Sequence, residues 1–344
     1  MSKLYLVREK STKFGGAEVY LSRLSKVLSN NGIEHKILNS VFPRILPSWL
    51  RIILFNLQAC LMKKEKFYFS LERIVCPDVY RAGDGVHKIF LSIENKSKFN
   101  LLHPVYLFLE RRCFNNAKHI IANSQMVKNE IIKVYGVDRH KIDVVYNGIQ
   151  PKEVDYAQSY QKLSNEFDLQ SDTPIILYVG SGFKRKGVEE FLGIISKMTT
   201  KCQAFILGKE KKIYYYEQLA KDLGVYNKVV FTGPRTDVVD FYTISDIFLF
   251  PTHYEPFSNV VLEAMNFGNA VFTTKQNGAH EILSEKYIMS SPKDFSVVDR
   301  IDKLLRNKDA LRAAKKDNQL MAAKLSIETN MMKTLEIIKK VKNG

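Results

Sequence analysis

Residues 175–187 read IILYVGSGFKRKG, a short apolar run followed by a glycine-containing basic turn. Ile175–Val179 has the length and the branched apolar side chains of a buried strand, and the glycines mark a turn at its end. A helix-sized segment separates this run from the next one, Ala204–Leu207. A strand, a turn, a helix and a second strand form a βαβ unit, so this stretch predicts an α/β fold with a parallel sheet.

The same alternation extends along the whole chain. Towards the C-terminus the predicted strands are Val229–Thr232, Ile247–Phe250 and Ala270–Thr273. Towards the N-terminus they are Leu4–Val7, His35–Leu38, Phe67–Leu71, Val79–Ala82, His119–Asn123 and Asp143–Tyr146. A polar stretch without strand signals, 147–172, separates the two sets. We therefore predict two domains, 1–155 and 156–324, with a C-terminal helix at about 325–344 packing back on the first.

The composition is that of a globular protein. Apolar residues make up 45% of the 344 residues and charged residues 26%, a balance that disordered chains lack. No run reaches the roughly 18 apolar residues of a membrane-spanning helix, and the N-terminal MSKLYLVREK predicts a first strand, not a signal peptide. The four cysteines (Cys60, Cys76, Cys113, Cys202) form no C-x-x-C pair, so we expect reduced structural thiols and no zinc site.

The formal net charge of +16 predicts an acidic partner. Most of the excess lies in 1–155, where Lys and Arg outnumber Asp and Glu by 25 to 14. Nucleic acid, an anionic membrane and a phosphorylated substrate would each suit such a surface, and charge alone does not choose among them.

The basic turn after Val179 has the chemistry of a phosphate-binding loop. Glycines allow close approach of a ligand to the backbone, and Ser181, Arg185 and Lys186 add polar and cationic groups. The G-K-[ST] ending of a Walker A loop is absent. The alternative is an ordinary basic turn between a strand and a helix.

A second motif, FPTHYEPFSNVVLEAM at 250–265, contains two glutamates separated by seven residues. We expect a helix to begin near Phe257, with Glu255 in the preceding loop and Glu263 about two turns into the helix. The exposed amides of Phe257, Ser258 and Asn259 would then face a phosphate or a sugar hydroxyl, and Glu263 could accept bonds from ribose hydroxyls. Solvated helix-end charges are the alternative.

Taken together, three segments of the second half resemble glycosyltransferase family 4. They are V-G-x-x-x-x-R-K-G at 179–187, F-x-G-x-x-x-D at 231–237 and P-x-x-x-E-P-F-x-x-V-x-L-E-A at 251–264. Within that family, the first of these and the N-terminal segment most resemble lipopolysaccharide core glucosyltransferases. The resemblance implies the GT-B fold, two Rossmann-like domains facing each other across a central cleft.

The resemblance also implies roles for residues of the second half. Glu263 would hold the ribose and Glu255 the donor sugar. Arg185 and Lys186 would neutralise the diphosphate, and Arg235 would lie beside the base. The backbone of Phe257, Ser258, Asn259 and Val260 would meet sugar and phosphate oxygens. The family has a further basic residue after the next strand; here the segment 208–216 reads GKEKKIYYY, and Lys211 and Lys212 are the candidates.

In the first half, Gly15 and Gly16 match the family's glycine-rich loop under the diphosphate. The segment YRAGDGVH at 80–87 is the densest polar cluster there, and Asp84 matches the family's acidic residue near the anomeric carbon. His87 is a further catalytic candidate. A turn-capping role for Asp84 and a core position for His87 are the alternatives.

Two basic, aromatic-bearing segments, 43–66 and 88–118, predict a contact with an anionic membrane, the second more strongly because related enzymes use that region so. The alternative is that their apolar faces are core.

The resemblance implies a retaining hexose transfer, with UDP-glucose as the expected donor, onto a lipid-linked lipopolysaccharide or lipooligosaccharide core sugar. UDP-galactose and ADP-heptose are the alternative donors. We expect a cytoplasmic enzyme bound peripherally to the inner membrane, using cationic side chains and no metal or other cofactor. A basic nucleic-acid-binding protein is the alternative class, but RNA-binding motifs and a recognition helix are missing from the sequence. A dinucleotide-dependent oxidoreductase would need G-x-G-x-x-G after the first strand, which is absent.

Overall fold

The structure is a computed structural model that describes residues 3–10, 16–94, 100–170 and 172–343. The chain divides into two compact units. The first unit comprises Met1–Asn147 and Ile327–Gly344, and the second unit comprises Gly148–Ser326. The sequence-based boundary at 155/156 falls a few residues after this division.

The first unit contains a parallel six-stranded sheet with the order β2-β1-β3-β4-β5-β6. Its strands are β1 (Lys3–Val7), β2 (His35–Leu38), β3 (Lys66–Ser70), β4 (Val79–Ala82), β5 (His119–Ala122) and β6 (Ile142–Val144). Its helices are α1 (Gly16–Asn30), α2 (Ser48–Leu61), α3 (His87–Glu94), α4 (Leu102–Asn116), α5 (Gln125–Tyr135) and, at the C-terminus, α14 (Ile327–Asn343).

One hydrophobic core of the first unit forms between the sheet and helices α1 and α14, and another forms between the sheet and helices α4 and α5. Leu24 of α1 is fully buried together with Leu4 and Leu6 of β1. Leu335 of α14 belongs to the same core. Helix α14 therefore completes the first of these two cores, in the unit that begins the chain.

The second unit contains another parallel six-stranded sheet, with the order β12-β11-β10-β7-β8-β9. Its strands are β7 (Ile175–Val179), β8 (Gln203–Leu207), β9 (Val229–Gly233), β10 (Ile247–Phe250), β11 (Ala270–Thr274) and β12 (Ile288–Met289). Its helices are α6 (Tyr156–Ser164), α7 (Phe183–Lys186), α8 (Val188–Lys197), α9 (Ile213–Asp222), α10 (Val238–Ile244), α11 (Asn259–Asn266), α12 (Val297–Arg306) and α13 (Lys308–Ala323).

The predicted α/β class is confirmed. Both sheets are parallel, and each predicted strand has a counterpart whose bounds differ by at most two residues at either end. Sequence patterns missed β12, because its two residues, Ile288 and Met289, are too short a run to produce a strand signal.

The expectation of four reduced thiols is wrong for one pair. Cys60 of α2 and Cys76 form a disulfide, with 6.0 Å between their Cα atoms. Asn56 explains how α2 reaches this segment, because its side chain donates to the carbonyl of Arg73 and accepts from the amide of Val75. The other two cysteines are buried free thiols.

Within the described part of the chain, no helix is both long enough and apolar enough to cross a membrane.

Candidate active site

The loops of interest in the second unit lie where the order of its strands reverses. From β7 the chain proceeds through β8 and β9 on one side of the sheet, and from β10 through β11 and β12 on the other. In open parallel sheets such a switch point opens a crevice outside the carboxyl ends of the two central strands, where ligands bind. The basic turn follows β7 and the loop with Glu255 follows β10, so the topology brings these two sequence motifs to one place.

Three predicted site residues meet at this switch point. Arg185 Nη1 lies 2.6 Å from Glu255 Oε1, and Lys186 Nζ lies 3.2 Å from the same oxygen. Arg185 also donates to the carbonyl of Tyr254. The side chains of Arg185, Lys186 and Glu255 are 23%, 18% and 14% exposed, so two cations and one carboxylate form a cluster that a ligand can still reach.

Backbone contacts fix the basic turn against the loop after β10. The amide of His253 donates to the carbonyl of Arg185 at 2.9 Å. Gly187 has a φ of +80°, and a Cβ at this position would lie 1.9 Å from the carbonyl oxygen of Pro251. Only glycine allows this approach. The two cations therefore stand on a backbone held by the same loop that carries Glu255.

Helix α11 begins at Asn259, two residues later than the sequence predicts. Glu263 consequently lies little more than one turn into the helix, not two. Its Oε2 accepts a hydrogen bond from the hydroxyl of Tyr242 at 3.2 Å, and Tyr242 is almost completely buried. A rigid buried phenol thus orients the carboxylate that the sequence assigns to the ribose.

The expected row of ligand-facing amides needs one correction. The amide of Ser258 donates to Asn277 Oδ1 at 3.2 Å, so it is used within the protein. Phe257 is buried, Asn259 is exposed and Val260 is partly buried. The Ser258 amide differs from the expectation because α11 begins only at Asn259, and Ser258 just before it is bonded to the turn at Asn277.

Asn277 is a residue that the sequence-based prediction missed. It is fully buried, and its Oδ1 also accepts from the amide of Ala279. On either side of it, the carbonyl of Gln276 accepts from the amide of Glu255, and the amide of Gly278 donates to the carbonyl of Glu255. Asn277-Gly278 is a strong turn dipeptide, but the sequence does not show which loop the turn supports.

The remaining residues predicted at the diphosphate lie around the basic turn. Ser181 Oγ accepts from the amide of Lys209 at 3.0 Å. Lys211 and Lys212 are both exposed, just before α9. The carboxylate of Glu210 accepts from the amides of Phe183 and Lys212, which holds the segment after β8 against the turn after β7.

Arg235 lies among protein carboxylates. Its guanidinium makes a bidentate pair with Glu166, at 2.6 and 2.7 Å, and two further bonds with Asp237, both at 2.9 Å. These hydrogen bonds raise the pKa of Arg235 and lower that of Asp237. The rings of Phe167 and Phe241 lie 5.8 and 5.4 Å from the guanidinium carbon. A contact of Arg235 with a nucleobase stays a prediction. It requires the guanidinium to contact the base while it remains paired with Glu166 and Asp237.

In the first unit, Asp84 follows β4 in a tight loop. Its side chain is 69% exposed, and its Oδ2 lies 4.0 Å from Arg73 Nη1. Gly85 has a φ of +68°, which explains the glycine after the carboxylate. A Cβ on Gly83 would lie 2.2 Å from Arg81 Nη1. The loop therefore presents the carboxylate of Asp84 to solvent, next to a glycine whose backbone conformation other residues rarely adopt.

His87 begins α3 and is partly buried. Its Nε2 lies 3.2 Å from Nδ1 of His103, and its ring packs against Tyr106. Burial, with the nearby positive charge of Arg73, lowers the pKa of His87 to about 4. The imidazole is therefore neutral at neutral pH. One of its ring nitrogens can donate a hydrogen bond and the other can accept one.

Of the two glycines predicted under the diphosphate, Gly15 lies outside the described residues. Gly16 is the first residue of α1 and is exposed. Nearby, Arg8 pairs with Glu18 of α1 at 3.1 Å and with Glu72 after β3 at 2.8 Å. Among the described residues, no three His, Cys, Asp or Glu side chains come together as a metal site.

Two family models match the chain. The model for glycosyl transferases group 1 matches 159–321, and the model for glycosyltransferase family 4 matches 85–153. The first therefore covers most of the second unit, including both motifs at the β7/β10 switch point, and the second begins in the loop that carries Asp84.

Curated relatives match in part. An uncharacterized glycosyltransferase of Methanocaldococcus jannaschii is 32% identical over 174 residues, which cover 48% of this chain and 45% of the relative. The lipopolysaccharide glucosyltransferase WaaG of Escherichia coli is 27% identical over 221 residues, 60% of this chain and 58% of the relative. The chain spans about half the length of the curated relatives it matches.

Solved structures match over nearly the whole chain. The crystal structure of WaaG superposes with a TM-score of 0.79 at 19% identity, covering 97% of this chain and 99% of that one. The structure of Anabaena HepE in complex with UDP and glucose superposes with a TM-score of 0.74 at 17% identity, covering 99% and 100%. At these identities the likeness establishes the GT-B fold.

Proposed function

Because this chain belongs to the glycosyltransferases of the GT-B fold, we propose that it transfers a hexose, with glucose from UDP-glucose as the first candidate, onto a lipopolysaccharide or lipooligosaccharide core sugar. The transfer retains the anomeric configuration. Two relatives support this choice: WaaG is named a lipopolysaccharide glucosyltransferase, and the HepE structure contains UDP and glucose.

The observation that carries the proposal is the cluster of Arg185, Lys186 and Glu255 at the β7/β10 switch point. A nucleoside diphosphate leaving group gains negative charge as its bond to the sugar breaks. Two cations held within 3.2 Å of one carboxylate oxygen can turn to that charge with little reorganisation. These cations take the role that a divalent metal has in other glycosyltransferases, so the proposed reaction needs no metal or other cofactor.

The sugar and the ribose are held by the two glutamates. Glu263, oriented by the Tyr242 hydroxyl, accepts hydrogen bonds from the ribose. Glu255 contacts the donor sugar through the oxygen that also faces Arg185 and Lys186. The amide end of α11 adds a positive dipole at this position.

The first unit supplies the acceptor side. The transition state of glycosyl transfer resembles an oxocarbenium ion, and the exposed carboxylate of Asp84 can stabilise that positive charge or orient the acceptor hydroxyl. His87, neutral because its pKa is lowered to about 4, adds a hydrogen-bonding group beside it. No side chain is assigned as a covalent nucleophile.

A contact with the anionic cytoplasmic face of the inner membrane completes the proposal. Helices α2 and α4 line an apolar groove with a volume of about 490 Å³, and Leu57 and Phe108 at its edge are 56% and 59% exposed. The guanidinium of Arg112 lies 5.6 Å from the ring of Phe108. An apolar groove beside a cation matches an acyl chain and its anionic headgroup.

A leucine pair tests the membrane contact. Leu57→Ser removes an apolar side chain worth about 1.5–3 kcal/mol on burial, so we expect roughly tenfold weaker binding to phosphatidylglycerol vesicles. Leu320→Ser in α13 is the matched control, because Leu320 is also 56% exposed. Vesicle sedimentation measures both. Equal binding of Leu57→Ser and the wild-type chain would exclude this groove as the membrane contact.

Thermal stabilisation by nucleotide sugars tests the proposed function. A ligand that binds only the folded chain raises its stability by about 2.7 kcal/mol at 100 times its Kd. UDP-glucose is expected to raise Tm most in a panel with UDP-galactose and ADP-heptose. A larger shift with another member of the panel would reassign the donor, and an unchanged Tm with every nucleotide sugar would refute the proposal.

A further inference from the structure

Two charged side chains of the first unit are buried together behind the Asp84 loop. Arg73 follows β3 and is 9% exposed at its side chain, and Glu110 lies in α4 and is 0% exposed. Arg73 Nε donates to Glu110 Oε1 at 3.0 Å. Neither residue has a part in the donor site of the second unit, and neither was singled out by the sequence motifs.

This buried pair binds the backbone at the end of the Asp84 loop and at the start of α3. Arg73 Nη2 donates to the carbonyl of Gly85 at 3.0 Å. Glu110 accepts from the amide of His87 at 2.7 Å and from that of Lys88 at 3.3 Å. Gly85 is thus bonded to Arg73 and His87 to Glu110, and these two side chains also bond to each other.

The remaining contacts of the pair make it rigid. The Glu110 carboxylate accepts one more bond, from the hydroxyl of Tyr135 at 2.6 Å. The guanidinium of Arg73 lies 5.6 Å from the ring of Tyr106. Four donors therefore converge on Glu110, and such a saturated buried network fixes the groups it touches.

Stability alone does not account for a buried ion pair at this place. Removing two charges from water costs several kcal/mol per ion, and apolar side chains of similar volume often stabilise a fold as well or better. Apolar side chains could not bind the carbonyl of Gly85 in the loop and the amides of His87 and Lys88 at the start of α3. The chemistry of the pair matches the backbone where the loop joins this helix.

We infer that Arg73 and Glu110 are positioning residues, which fix the backbone between Gly85 and Lys88 and thereby hold the carboxylate of Asp84 and the imidazole of His87 in place for transfer. The inference rests on the proposed function, because that function assigns Asp84 and His87 to the transfer step. Arg73 acts on Asp84 in a second way, through its charge 4.0 Å from the carboxylate.

The Arg73→Lys variant tests the inference. Lysine keeps a positive charge opposite Glu110, but it lacks the planar fork that reaches Glu110 and Gly85 together. We expect kcat of hexose transfer to fall by on the order of 10- to 100-fold, the effect of a small misplacement of a reacting group. Binding of UDP, measured by calorimetry, and the KM for UDP-glucose are expected to stay within about twofold, because Arg73 is not part of the nucleotide site proposed in the second unit.

Tyr135→Phe is the matched control. It removes the bond from the Tyr135 hydroxyl to Glu110 and leaves the bonds from Arg73, His87 and Lys88 in place. Transfer by this variant is expected to stay within about twofold of wild type, since the loop contacts persist. A loss of transfer as large as that of Arg73→Lys would mean that any disturbance of the Glu110 network lowers activity. That result would overturn the positioning role of Arg73 and Glu110.

A double-mutant cycle separates this inference from the proposed function. If Arg73 acts through Asp84, the Arg73→Lys change costs less than about twofold in an Asp84→Asn background. Full additivity of the two losses, or wild-type kcat for Arg73→Lys, would overturn the positioning role while transfer by the wild-type chain stands. A wild-type chain that transfers no hexose would refute the proposed function itself.

Discussion

Lys186→Ala and Glu255→Ala are each expected to lower hexose transfer by roughly 100- to 1,000-fold, the usual effect of removing one group that stabilises developing charge. Lys186→Ala removes a cation from the diphosphate. Glu255→Ala removes the carboxylate that holds Arg185 and Lys186 at 2.6 and 3.2 Å, so both cations lose their orientation. The measurement is kcat/KM for UDP-glucose with a saturating acceptor.

Both variants are expected to remain folded, because the charged side chains at this site are partly exposed and water can solvate the partner that is left. Lys184→Ala provides the control. Lys184 belongs to the same Lys-Arg-Lys run but is exposed, and its replacement should leave transfer unchanged. Comparable losses in all three variants would mean that net charge, not the geometry at Glu255, governs the reaction.

Asp84→Asn is expected to lower kcat by on the order of 100-fold. Asparagine has nearly the shape of aspartate but no charge, so it can occupy the loop without stabilising an oxocarbenium ion. Because Asp84 belongs to the first unit and the side chains proposed to bind the nucleotide belong to the second, the affinity for UDP is expected to be unchanged. Steady-state transfer and calorimetry with UDP measure the two quantities separately.

Glu34→Gln is the control for the loss of a carboxylate from the first unit. Its side chain is 87% exposed and pairs with Lys3 at 3.7 Å. Wild-type turnover is expected for this variant. An active Asp84→Asn enzyme would leave Asp84 as a turn residue, and weaker UDP binding by that variant would contradict the separation of roles.

The fold could be predicted because its signals are local. Ile175–Val179 and Ile247–Phe250 are continuous apolar runs of strand length, and the structure gives them the same bounds. The predicted start of α11 differs from the observed one because the amide of Ser258 bonds to the distant Asn277. The Ser258 side chain makes no capping bond to its own helix. Local sequence contains no information about such a partner.

The site could be predicted only where its residues belong to contiguous motifs. Arg185, Lys186 and Glu255 are such residues, and the topology brings them together. Tyr242, Arg73 and Glu110 support the candidate residues from other elements, and in the sequence they are indistinguishable from ordinary core or surface residues. The disulfide of Cys60 was missed for the same reason, because helix packing and not spacing brings its partner close.

A crystal structure with bound UDP tests the central claim most directly. The account predicts the diphosphate within hydrogen-bonding distance of Arg185 and Lys186, and the ribose hydroxyls at Glu263, beside the carboxyl ends of β7 and β10. UDP bound elsewhere on the chain, with these three side chains unchanged and out of its reach, would contradict the account.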